Sequence, residues 1–159
     1  MIRPVTLDTI TEKMKEFGSV EQVRKNRIRV KTVPDKLHDA ITTSQAVLGC
    51  DRLITISTVD NGETFELLYH LIGPHRIIIT LALNLPRDEP VTMTSSALLP
   101  PAGIYERQIH DLFGITFTGH PGLKKILLNE DWPDNEYPLR KDWKPSPGEF
   151  YGGIKVERV

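Results

Sequence analysis

The sequence predicts an α+β fold. It is a small two-layer domain with a mixed, mostly antiparallel sheet and helices on one face, followed by an extended C-terminal arm. Three observations predict it. Helical and alternating apolar periods succeed one another along residues 1–128. Asp60-Asn61-Gly62 and Gly73-Pro74 punctuate three consecutive strand-like runs, as in a meander. The remaining residues, 129–159, lose both periods yet hold both tryptophans.

The first helix opens at Thr6, a good N-cap, and Leu7, Ile10, Met14 and Phe17 recur at helical spacing before Gly18 stops it. Arg27 to Val33 alternates Ile28 and Val30 with charges, as a half-buried strand does. Pro34 suits the first turn of a second helix, whose apolar face is Leu37, Ala40, Ile41, Val47 and Leu48. Gly49 ends it. Leu53–Val59, Phe65–Ile72 and Arg76–Leu85 then read as three antiparallel strands. The first pair should be joined by a two-residue hairpin, because Asn61 and Gly62 both tolerate positive φ. The preceding strand–helix–strand unit should cross over right-handedly, leaving helices on one face. Residues 86–99 read as a loop with a short strand at Val91–Thr94. After Pro100-Pro101, Tyr105, Ile109, Leu112 and Phe113 form one apolar stripe of a third helix, capped by Gly114.

Composition narrows the function classes. Twenty basic residues face twenty-one acidic ones, a formal net charge of −1, so nothing argues for nucleic acid as a partner. The lone Cys50 cannot make an internal disulfide or a cysteine metal site, and it fits a reducing compartment as a packing residue. The charged N-terminus is not that of a signal peptide. The most apolar run, Ile77–Leu85, is well short of the ~20 residues that span a bilayer. Membrane association should come through partners.

The arm, 129–159, combines Pro133, Pro138, Pro145 and Pro147 with Trp132, Tyr137, Trp143, Phe150 and Tyr151. Disordered tails are poor in aromatics. Such a segment either lies on another protein, where aromatics make good anchors, or folds back on its own domain. Composition does not choose between them.

No phosphate loop, nucleophile elbow or paired-cysteine motif is present, and Gly152-Gly153 lacks the strand and helix that a phosphate loop needs. His110, Asp111 and His120 are the one group resembling metal ligands. His110 and Asp111 are adjacent on a helix and point about 100° apart, so the signal is weak. No catalytic, cofactor-binding or metal-binding residue is assigned. Arg107 with Asp111, and Glu106 with His110, are each four apart and could meet side by side.

From Glu106 to Ile115 the chain reads ERQIHDLFGI. Phe117, Gly119-His120-Pro121, Leu123 and Lys124–Leu128 follow, then Tyr137-Pro138-Leu139-Arg140-Lys141-Asp142-Trp143. This ordered set resembles the 30-kilodalton, or C-type, subunit of respiratory complex I. That family includes counterparts in energy-converting membrane-bound hydrogenases, formate hydrogenlyase and archaeal coenzyme-F420 dehydrogenases. Gln108 stands where the family usually has Glu, and Trp143 where Phe is commoner. The run Leu128–Pro133 followed by Tyr137–Arg140 looks more like the hydrogenase and archaeal branch.

The resemblance implies a scaffold subunit without an active site or cofactor of its own, on the cytoplasmic face of the membrane. It implies packing against the hydrogenase-large-subunit-like chain (the D-type chain of complex I), with a small iron–sulfur subunit and antiporter-like membrane subunits in the same complex. Iron–sulfur clusters, and in some relatives Ni–Fe, are expected in those partners. On this reading Glu106, Arg107 and Asp111 face outward from the third helix. They join His120, Pro121, Lys124, Trp132, Pro138, Arg140, Lys141, Asp142 and Trp143 in a partner interface. Two other readings compete. One is a small metal-dependent hydrolase using His110, Asp111 and His120. The other is a free adaptor that binds a peptide through its arm.

Overall fold

The computed structural model describes residues 6–74 and 76–151, with the backbone of 154 and 155. The readings placed on the extreme N-terminus and on Gly152-Gly153 lie outside the described residues. Helix α1 (Leu7–Met14) begins on Thr6, whose hydroxyl accepts from Thr9 N at 3.3 Å. Strands β1 (Ser19–Arg24) and β2 (Arg27–Thr32) make a hairpin. Helix α2 (Pro34–Ala46) opens on its proline. Strands β3 (Arg52–Asp60), β4 (Thr64–Ile72) and β5 (Ile78–Pro86) form the meander.

The five strands lie in the order β1-β2-β5-β4-β3, with β2 and β5 parallel and every other pair antiparallel. The chain therefore leaves β2 near one edge and returns through α2 to the other edge. Strand β1 is absent from the sequence reading. It is an exposed edge strand whose residues show no alternation of burial, so it carries no period-two signal.

The β3–β4 loop differs from the two-residue hairpin expected. It has three residues, 61–63, and only Gly62 takes positive φ, at 93°. Asn61 N donates to Thr64 O, while Gly62 N donates at 2.8 Å to the carboxylate of Asp60. That carboxylate holds the turn locally and has a second use described below.

Every other residue of β4 and β5 is buried on one face: Phe65, Leu67, Tyr69 and Leu71 against Ile79, Leu81, Leu83 and Leu85. Ile10 and Met14 of α1, Leu37, Ala40 and Ile41 of α2, and Ile109 and Phe113 of α3 (Ala102–Phe113) join them in one cluster. The helices thus share one face of the sheet. Cys50 is buried at the same core, and burial, with Asp51 nearby, pushes its thiol up to about 11. Beside this layer, β6 (Val91–Met93) pairs in parallel with β7 (Thr116–Thr118), and β8 (Phe150–Tyr151) pairs with β9 (Ile154–Lys155).

Candidate functional site

Helix α3 is covered on both sides. Ile109 and Phe113 enter the core, and the Tyr105 hydroxyl donates to Ile54 O at 2.9 Å. Its opposite side is covered by the chain that follows. Asp111 is 3% exposed, and its Oδ2 accepts from Ile126 N (2.7 Å), Leu127 N (2.8 Å) and Leu128 N (3.3 Å). One carboxylate oxygen thereby gathers three successive amides into an anion cradle. Arg107 works from the other end of that segment, donating to Lys124 O and Lys125 O at 3.0 and 2.9 Å.

Glu106 has no exposed surface. Its carboxylate accepts from Ser95 N at 2.7 Å and from the Thr94 hydroxyl, and His120 Nε2 lies 4.0 Å away. Burial pushes its pKa above the usual carboxylate range, and the bonds from Thr94 and Ser95 and the nearby His120 and His38 offset that only in part. His120 is held in turn: Nε2 donates to Gly103 O at 2.9 Å, and Nδ1 accepts from Gly122 N at 3.0 Å. The loop after β7 is thus tied to the start of α3.

Gly114 ends α3 with φ 73°, and a Cβ there would meet the Tyr137 ring at 2.4 Å. Only glycine allows both the left-handed turn and this approach. The arm crosses here. Leu139 N donates to Leu112 O, and Arg140 Nε donates to Phe113 O at 2.8 Å. The Arg140 guanidinium lies over the Tyr137 and Phe65 rings, 4.5 and 5.2 Å from their centroids, within cation–π range.

One step further on, Lys141 N donates at 2.9 Å to Asp60 Oδ2 at the tip of the sheet. Arg87 donates to Asp60 Oδ1 at 2.8 Å and also pairs with Asp142. Asp60 is 4% exposed. Burial raises its pKa, but the amides of Lys141 and Gly62 and the cations Arg87 and Lys141 outweigh it, and the carboxyl sits below its ordinary range.

Beyond this anchor the aromatics pack together. Trp132 and Trp143 stack with centroids 6.0 Å apart, and Tyr151 meets them edge-on at 4.9 and 5.6 Å. Glu136 serves as their hub: its carbonyl accepts from Trp132 Nε1, and its carboxylate accepts from Trp143 Nε1 and the Ser146 hydroxyl. Lys125 Nζ donates to Trp132 O at 2.6 Å. A cleft of about 430 Å³ lies between the arm and α3, lined in part by His110, Asp111, Lys125 and Trp132.

The residues singled out in the sequence therefore come together, but chiefly with one another's backbone. Glu106 and Asp111 do not face outward as expected. Both are buried: Asp111 beneath the downstream residues 126–128, and Glu106 beneath the upstream Thr94–Ser95 turn with His120 beside it. Arg107 does not bond Asp111, nor Glu106 His110. His110 Nδ1 donates to Ile115 O instead. His110, Asp111 and His120 diverge, and among the described residues no three His, Cys, Asp or Glu side chains could together hold a metal ion. Asp60, Arg87, Thr94 and Glu136 were not singled out in the sequence. Asp60 carried only a turn signal. What the folded arm leaves exposed is apolar as well as charged: Ile126 (37%), Leu127 and Leu139 (52% each), with Pro121, Lys124, Lys141 and Asp142. Pro138 is half-buried. Among the described residues no helix is long and apolar enough to cross a membrane.

Comparison with known proteins gives one consistent picture. The family model described as "Respiratory-chain NADH dehydrogenase, 30 Kd subunit" matches residues 28–149. The C-type subunit of F(420)H(2) dehydrogenase from Methanosarcina mazei is 35% identical over 124 residues, covering 76% of this chain and 78% of the relative. The C-type subunit of NADH-quinone oxidoreductase from Herpetosiphon aurantiacus is 38% identical over 93 residues, 58% of this chain and 53% of the relative. The chain spans about half the length of that relative and of those from Roseiflexus. Among solved structures, a chain of the membrane-bound sulfane sulfur reductase, an archaeal respiratory membrane complex, superposes with a TM-score of 0.68 at 26% identity. The match covers 87% of this chain and 83% of that one. The trypsin-resistant fragment of Nqo5 shares the fold, with a TM-score of 0.65 at 23% identity over 74% of this chain and 98% of the fragment.

Proposed function

The chain belongs to the family of the 30 Kd subunit of respiratory-chain NADH dehydrogenase, and from that premise we propose that it is a non-catalytic scaffold subunit of a complex I-like, ion-translocating membrane oxidoreductase. It packs on the hydrogenase-large-subunit-like chain through the outer surface of its arm. Electron transfer takes place in clusters held by neighbouring chains. The relatives named as C-type subunits of NADH-quinone oxidoreductase and F(420)H(2) dehydrogenase support this reading.

The observation that carries it is the division of labour within the signature. Arg107, Asp111 and Arg140 fix residues 124–140 against the domain by hydrogen bonds, and Glu106 holds the Thr94–Ser95 turn with His120 beside it. That rigid segment then presents Ile126, Leu127 and Leu139 outward. Large apolar side chains exposed on an ordered loop suit contact with another protein surface, and holding them in place beforehand lowers the entropy lost on docking. Arg107 and Arg140 shape the interface from behind, while Lys124, Lys141 and Asp142 stand at its rim.

The test is a mild-detergent pull-down of the tagged chain from its native membranes. The wild type should bring down a hydrogenase-like large subunit and antiporter-like membrane subunits. The Leu127→Asp/Leu139→Asp variant should fold and elute without them. A wild-type chain that elutes alone, or a double variant that assembles normally, overturns the proposal.

A further inference from the structure

Among the described residues, the helices leave one face of the sheet bare. All three pack on the face that carries Ile28, Val30, Leu67, Tyr69, Ile79 and Leu81. The alternate residues point the other way, and the strand register sets them in rows. Arg52, Ile72, Ile78 and Arg27 form one row across β3, β4, β5 and β2. Thr55, His70, Thr80 and Arg29 form the next, and Ser57, Leu68, Ala82 and Lys31 the third. The result is a floor of aliphatic and hydroxyl side chains with cations along β2 and a further one, Arg52, at the opposite edge.

The turn end of this face is more basic still. Arg24 stands directly across from Arg27, and Lys25 follows in the turn. Asn26 Nδ2 donates to Arg76 O at 3.2 Å, which brings a further cation to the same end, at a residue with φ 56°. Arg24, Lys25, Arg27, Arg52 and Arg76 are exposed, and none is in an ion pair among the described residues. Arg29 is engaged by Glu66. Directly opposed like charges destabilise a hairpin, and a chain of net charge −1 has no general need of such a cluster. An arriving anion would relieve that repulsion.

The form of the face selects the anion. Ile72 and Ile78 are half-buried in the sheet, so they cannot be pushed into a bilayer as membrane-surface helices push theirs. No Phe, Tyr or Trp stands on the bare face of the five described strands, so nucleobases have nothing to stack on. His70 Nδ1 lies 3.0 Å from Thr80 Oγ1 and Nε2 lies 3.3 Å from Ser57 Oγ. Both ring nitrogens are occupied, and burial with Arg27 and Arg29 nearby holds its pKa below the usual value. The centre of the face is therefore neutral and its turn end is positive; Glu21, across from Arg29, and Glu66, paired with it, are the acids that share the face. We infer that this bare sheet face is a second docking surface, which takes a segment of a neighbouring protein chain presenting Asp or Glu side chains around a small apolar patch. The inference rests on the proposed membership of a larger complex only for the place where that neighbour is found.

Zero-length carbodiimide cross-linking of the assembled complex tests it, with linked peptides read by mass spectrometry. Lys25 and Lys31 should be joined to Asp or Glu of another chain. In the Arg27→Glu/Arg52→Glu variant those links should fall about tenfold or more, as opposed charges become like charges. Thermal melting shows that the variant folds, and Lys25→Glu, on the exposed turn, gives the same readout from Lys31 should it not. If partners co-purify but neither lysine links to another chain, this inference is overturned and the scaffold reading stands. If instead the purified full chain sediments with phosphatidylglycerol vesicles and makes no such links, the face is a lipid surface and the inference is overturned. If no partner chain co-purifies, both readings fall together.

Discussion

Removing the Asp111 carboxylate should loosen residues 126–128, the segment that leads into the arm, without unfolding the domain. Asp111 Oδ2 accepts three amide hydrogens from Ile126, Leu127 and Leu128. A hydrogen bond to a charged group contributes about 1.5–3 kcal/mol. The three share one oxygen and one desolvation cost, and Ile126 and Leu127 are exposed enough for their amides to find water once the carboxylate is gone. Full additivity is therefore excluded, and Asp111→Ala should cost about 2–4 kcal/mol. Asp111→Asn keeps an acceptor but loses the charge, and should cost about half as much. Urea denaturation gives the loss, and native-state hydrogen exchange locates it at the amides of 126–128. If Asp111→Ala shifts stability by less than about 0.5 kcal/mol, or if exchange at 126–128 is unchanged, the carboxylate does not hold this segment.

Three further outcomes follow from the same anchors. Asp60→Asn should lower stability at neutral pH by about 1–3 kcal/mol. Because the folded carboxyl lies below its ordinary range, that contribution is present above the unfolded pKa of about 3.9 and vanishes as pH falls through the folded value. Acid titrations of wild type and variant should therefore converge at low pH; parallel curves would show that Asp60 is not ionised in its cage. Gly114→Ala should cost about 2–4 kcal/mol, from the left-handed backbone and the Tyr137 ring together, and thermal melting reads it. Glu106→Gln should stay within about 1 kcal/mol of wild type, since Gln preserves an acceptor for Ser95 N, whereas Glu106→Ala should lose about 2–3 kcal/mol and expose the Thr94–Ser95 turn to proteolysis.

Much of the domain was legible from periodicity. Thr6, Pro34 and Gly114 mark helix ends at which the chain does turn, and the alternating apolar residues of β4 and β5 give their buried face directly. Strand β1 was not legible, since an edge strand exposed along its length has no face to encode. Strand β7 is three residues long, too short for any period to register. How the charged residues of the signature pack was not legible. Charges on an amphipathic helix are ordinarily solvated, and that rule places Glu106 and Asp111 outside. It fails because residues 126–128 of the signature cover Asp111, and the Thr94–Ser95 turn, which no local pattern ties to the helix, covers Glu106. Asp60 was beyond sequence reading for another reason: its partner Lys141 is 81 positions away, and nothing local announces such a contact.

The charged signature folds residues 124–140 onto the domain, and the proposed role has the outer surface of that segment meet another protein. Hydrogen exchange on the full chain, alone and within the detergent-extracted complex, tests both halves at once. The amides of 126–128 and 139–141 should already be protected in the isolated chain, and segments carrying Leu127 and Leu139 should gain further protection in the complex. An arm that exchanges freely alone and is protected only on assembly, or one whose protection is the same in both states, would contradict it.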